Sequence, residues 1–93
     1  MAHLTTSQSK DRLVARVRRI AGQVAAGERA VAGEAPCSET LHLVAAVRGA
    51  VAGLMDELVE DHLRAHVAAP GLTDAERAAG ADELATVLRR HMR

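Results

Sequence analysis

Leu13, Val17, Ile20, Val24 and Val31 recur three, four or seven positions apart, while Arg12, Arg16, Arg19 and Glu28 fall largely off that line. Apolar residues so spaced share one side of an α-helix, so the pattern predicts an amphipathic helix over about residues 8–32 with a basic outer side. Ser7 or Ser9 is placed to cap its start, and residues 1–6, which carry no periodicity, read as a flexible arm. The helix weakens at Gly27 and stops around Gly33, where Gly-Glu-Ala-Pro supplies breakers and Pro36 suits the first turn of a second helix.

The same period continues through Leu41, Val44, Val51, Met55 and Leu58, with no proline and only Gly49 and Gly53 interrupting a second helix over about 37–67. At 1.5 Å per residue this helix would span about 45 Å, longer than a compact chain of this size needs, which points to a partner helix in another subunit. Gly49 and Gly53, four apart, lower helix propensity but let two helices approach closely. Thr73 and Glu76 match the capping box, in which each side chain satisfies the other's backbone N–H, and start a third helix over about 74–91. Without strand-like alternation or an internal repeat, the expected fold class is all-α with a three-helix subunit.

The length of 93 residues suits one domain, and 48% hydrophobic against 26% charged residues is a globular composition. With no Phe, Tyr or Trp, the core must be built from small aliphatic side chains, which helices can bring close together. Net charge is zero overall, yet residues 1–31 hold Lys10, Arg12, Arg16, Arg18, Arg19 and Arg29 against Asp11 and Glu28, a local excess of +4. Neither a secretory signal nor a membrane span is present, and the lone Cys37 reads as a reduced thiol in the cytoplasm.

His62 and His66 lie one helical turn apart at the end of the second helix and continue the line of Val51, Met55 and Leu58, which is expected to be buried. An imidazole in an apolar site needs a partner, and a metal ion would serve both rings; the alternative is a pair of polar residues at a fraying helix end. Cys37 opens the same helix 25 positions earlier, too far from His62 to share a site within one straight helix. Antiparallel pairing of two such helices puts Cys37 of one chain beside His62 and His66 of the other; the alternative is an inert buried thiol. His3 follows Ala2, whose amine, exposed by removal of Met1, could chelate a metal together with the imidazole.

The run RLVARVRRIAGQV, then Cys37, then LVAAVRGAVAGLMDELVEDHLRAH resembles the CsoR/RcnR family of small all-helical bacterial repressors that sense metals or formaldehyde. The likeness covers about residues 10–67, and the third helix agrees only in type. It implies an antiparallel four-helix-bundle dimer, a homotetramer built as a dimer of dimers, and binding of double-stranded operator DNA across basic faces without a helix-turn-helix. The implied protein is not an enzyme: it represses a neighbouring efflux or detoxification gene until an effector lowers DNA affinity.

In this family a ligand fingerprint separates the subgroups, and here its positions read His3, Cys37, His62 and His66, with the Ala2 amine as a further donor. That set resembles the nickel and cobalt sensors, and imidazoles with one thiolate suit Ni(II) or Co(II). Zn(II) is an alternative, since one Cys and three His also make a tetrahedral site. The copper pattern ends in a second cysteine where His66 stands. Formaldehyde sensors use the equivalent of Cys37 with a proline at position two, where this chain has Ala2; its primary amine keeps a formaldehyde response as an alternative.

For DNA, the resemblance carries over Arg16, Arg19, Gln23 and Arg48, and Arg12 and Arg18 extend the patch; for each arginine the alternative is a solvated helix face or, for Arg48, an internal contact. Ala52 stands where the family often has Asn, and the surroundings of His42 and Leu43 also depart from it. His42 and His91 match no ligand position and read as surface residues. Two rivals from other classes are a metal-storage bundle, which would not need the basic face, and a thiol enzyme using Cys37, for which no orienting third group is visible.

Overall fold

The computed structural model describes residues 7–92. Three helices follow in order, α1 (Ser7–Ala32), α2 (Cys37–His66) and α3 (Asp74–His91). The all-α, three-helix expectation holds, with helix ends within a residue of those read from the pattern. The arm over residues 1–6, with Ala2 and His3, lies outside the described residues. None of the described helices is long and apolar enough to cross a membrane.

The turn after α1 differs from expectation in one detail. Gly33 is a breaker there, but the left-handed residue is Glu34, with φ 57°. Its N–H donates to the Val31 carbonyl at 3.3 Å, and the Ala35 N–H reaches back to the Ala30 carbonyl at 2.9 Å. This pair of bonds is a Schellman closure, which requires left-handed backbone one residue after Gly33. Pro36 sits just before the first turn of α2 rather than inside it: its carbonyl accepts from the Glu39 and Thr40 N–H groups at 3.0 and 3.3 Å.

The chain divides into two compact units, one formed by Asp11–Met55 and the other by the remaining described residues. In the first, α1 and the start of α2 form a helical hairpin. Arg16 lies against Gly53, so closely that a Cβ on Gly53 would sit 3.3 Å from its Nη2. Gln23, Val24, Gly27, Glu28 and Val31 line a groove of about 310 Å³ with Leu43, Val44 and Val47. Residues that rise in number on α1 thus meet residues that fall on α2, the register of an antiparallel pair.

Among the described residues the single chain forms little of the expected core. There Leu13 is the buried hydrophobic residue, at 4% exposure, whereas Val17, Val24, Val31, Leu41, Val44, Val51 and Leu58 are all exposed. These are the positions whose periodicity predicts burial, and isolated apolar residues on a surface are common, but two helices carrying continuous stripes of them are not. The stripe that His62 and His66 were expected to continue is therefore not an intrachain core.

In the second unit α3 folds back along the last turns of α2. Leu63 closes α2 by accepting the N–H groups of Val67 at 3.0 Å and Ala68 at 2.8 Å. Arg77 of α3 donates to the Val67 carbonyl and to that of Ala69, taking up groups that the helix end leaves without partners. Gly71, at φ 82°, makes the reversal that a side chain would oppose. The capping box then starts α3 as expected: Thr73 Oγ1 accepts the Glu76 N–H at 3.0 Å, and Glu76 Oε1 accepts the Thr73 N–H at 2.8 Å. These bonds favour the ionised carboxyl of Glu76 and lower its pKa, the backbone bond from Thr73 being the main cause.

Candidate functional site

The helical period puts His62 and His66 on one side of the final turns of α2, and their rings meet at a centroid separation of 4.8 Å with a 44° tilt. Both residues are half-buried. His62 does not point free: its Nε2 lies 3.0 Å from the Gly80 carbonyl oxygen on α3. A carbonyl only accepts, so Nε2 must carry the proton, and in the neutral ring the lone pair is then on Nδ1. Glu83 Oε2 stands 3.8 Å from the same nitrogen, beyond hydrogen-bond reach. A histidine with one nitrogen fixed by a carbonyl and the other bearing its lone pair is the arrangement that metal-ligating imidazoles adopt.

Gly80 touches the second histidine as well. It is buried, and a Cβ built on it would overlap the His66 carbonyl oxygen and lie 2.8 Å from the His66 Cβ. Asp61, immediately before His62 in sequence, is also buried at 7% exposure, and its Oδ2 has no hydrogen-bond partner.

Cys37 is exposed at the first position of α2, the end opposite in sequence to the histidines. Among the described residues no three His, Cys, Asp or Glu side chains gather where they could hold a metal ion. The donor types nevertheless fit a borderline divalent ion: one thiol, two imidazoles, and a His62 tautomer that presents Nδ1. The fourth expected ligand, His3, and the Ala2 amine lie outside the described residues. His42 and His91 are exposed, as expected of surface residues.

The basic residues expected to meet DNA divide into groups. Arg12, Arg16, Arg19 and Gln23 follow at spacings of four, three and four, which aligns them along one side of α1. Arg12 and Arg19 are exposed, whereas Arg16 is half-buried against Gly53 and Gln23 lines the groove beside α2. Arg18 is exposed on a different side of α1, and Arg48 is exposed on α2. The stripe therefore borders the α1–α2 seam, with two members engaged in it.

Sequence reasoning missed Gly80, Arg77 and Asp61. A lone glycine inside the helical run ERAAGADEL is a signal of close backbone approach and would have pointed to Gly80. Nothing in the pattern marks Arg77 or the burial of Asp61.

Comparison with known proteins gives concordant matches. The family model of metal-sensitive transcriptional repressors matches residues 9–90. An uncharacterised protein from the bioA 5′ region of Serratia marcescens is 47% identical over 93 residues, covering all of both chains. The transcriptional repressor RcnR of Salmonella arizonae is 38% identical over 88 residues, which is 95% of this chain and 94% of that one. Among solved structures, a variant of the formaldehyde-responsive regulator FrmR from Salmonella enterica serovar Typhimurium superposes with a TM-score of 0.86 at 45% identity, over 90% of this chain and 94% of that one.

Proposed function

Because the chain belongs to the metal-sensitive transcriptional repressor family, a family of DNA-binding regulators and not of enzymes, we propose that it is a cytoplasmic homotetrameric repressor that releases operator DNA when Ni(II) or Co(II) is held by His3, Cys37, His62 and His66 across a dimer interface. The observation that carries this reading is the His62–His66 pair, in contact at 4.8 Å, with His62 Nε2 engaged by a carbonyl. That bond orients a donor nitrogen without occupying it. The match to the metal-sensitive repressor family supports the metal class.

Cys37 opens α2 and the histidines close it, so antiparallel pairing of two α2 helices joins the thiol of one chain to the imidazoles of another. The exposed stripe of Leu41, Val44, Val51 and Leu58 supplies the surface for such pairing. When bound, the ion supplies a positive centre that joins donors of two chains. Cys37, His62 and His66 then favour one arrangement of the paired helices, and the arginines of α1 present a different face to DNA. A coupling of this kind typically amounts to about 1–3 kcal/mol, or roughly 5- to 150-fold in DNA affinity.

The direct test follows DNA binding with and without Ni(II). Cys37→Ala and His62→Ala should each bind DNA as the metal-free parent does and no longer release it; release that survives both substitutions would refute the site.

The 45% identity to the FrmR variant favours a second reading, a response to formaldehyde. There the Cys37 thiol adds across the carbonyl to give an S-hydroxymethyl group, and attack by the Ala2 amine expels water to leave a methylene bridge. A covalent mass gain on the parent that is absent from Cys37→Ala, with DNA release by formaldehyde and none by Ni(II), would select it.

A further inference from the structure

Gly80 touches both histidines of the candidate site, and no metal-ligand pattern includes it. Its carbonyl accepts from His62 Nε2 at 3.0 Å, and its missing side chain is what admits α3 onto the backbone of His66. The two contacts depend on each other: the carbonyl reaches the ring only because the Cα rests against the end of α2. Glycine here is not explained by local backbone needs, since position 80 is inside α3 and needs no left-handed φ. Alanine is the better helix former, so propensity alone would favour it.

We infer that Gly80 is the positioning residue of the effector site: it seats α3 on the last turn of α2 and holds the His62 ring in the tautomer that offers Nδ1. The inference rests on the reading of His62 and His66 as effector donors. It assigns to α3 a specific task, since any side chain at position 80 drives the helix away from His66 and frees His62 to rotate. Outer hydrogen bonds to metal-ligating histidines typically matter by about 10- to 100-fold in metal affinity. Gly80→Ala should weaken Co(II) binding by that factor.

The experiment combines two measurements. Long-range ¹⁵N–¹H spectra of the metal-free parent, with the His62 signals assigned by their loss in His62→Ala, report which ring nitrogen carries the proton. Co(II) affinity is then measured by chelator competition for the parent and Gly80→Ala, with metal-free DNA binding as the folding control. The expected result is an Nε2–H tautomer in the parent, its loss in Gly80→Ala, a 10- to 100-fold weaker Co(II) site, and DNA binding retained. An Nδ1–H tautomer or a rapidly exchanging mixture in the parent, or parental Co(II) affinity in Gly80→Ala, would overturn the inference. If Gly80→Ala does not fold, the parental spectrum decides alone. If the parent binds no Co(II), the effector reading fails, while the tautomer still decides whether Gly80 holds His62.

Discussion

Leu41→Ala isolates the claim that the exposed apolar stripe is an interface between copies of this chain. Leu41 keeps 63% of its surface exposed and Val44 57%. Full burial of a leucine side chain is worth roughly 1.5–3 kcal/mol, so close to two thirds of that, about 1–2 kcal/mol, is left for a partner to realise. A two-fold interface presents Leu41 twice, so the substitution should weaken dimerisation by about 2–4 kcal/mol, or roughly 30- to 800-fold in Kd. The control is His42→Ala, also exposed, but displaced by 100° around the helix from Leu41 and further still from Val44. Sedimentation velocity across a dilution series of the reduced protein reads both. Assembly that persists in Leu41→Ala, or that weakens equally in His42→Ala, would refute the assignment of this face.

Thr73→Ala removes an N-cap oxygen from the Glu76 N–H and should destabilise the fold by about 1 kcal/mol, read as a lower midpoint in urea. The Glu76 carboxyl is depressed below 4.5 in the folded chain, so its stabilisation is present above that pH and is lost as pH falls through the lowered value; Glu76→Gln should flatten this acid dependence. Glu34→Gly relieves a left-handed residue at φ 57° and should raise stability by about 0.5–1 kcal/mol despite the added freedom of the unfolded chain; a lower thermal midpoint would contradict the Schellman assignment. Arg12→Ala with Arg19→Ala removes two exposed charges from each α1 stripe and should reduce the slope of log K against log salt by about 2 for every chain that meets DNA, whereas unchanged slopes would move the DNA surface elsewhere.

The helices were legible because their ends carry strong chemical signals: Gly33 and Pro36 bracket one turn, and the Thr73–Glu76 pair starts α3. The left-handed position was not, because the closing bonds of the turn, rather than the glycine, decide which residue reverses the chain. Apolar periodicity found the faces of α1 and α2 and read them as buried, but did not say against what. Burial inside a chain and burial between chains impose the same period, so Leu41 and Val44 look alike in either case. Of the candidate site, the histidine pair follows from the helical repeat alone. The Gly80 bond depends on how α3 returns to α2, a tertiary fact that the i, i+4 spacing does not contain.

The most direct test of the central claim is an anaerobic Co(II) titration of the reduced protein followed by absorption, with Cys37→Ala alongside. The account predicts a thiolate-to-cobalt charge-transfer band that saturates in the parent and is absent from Cys37→Ala, together with weak d–d bands of a site with more than four ligands. Intense d–d bands of a tetrahedral site would shift the effector toward Zn(II). No Cys37-dependent band at all would contradict a metal site at this thiol.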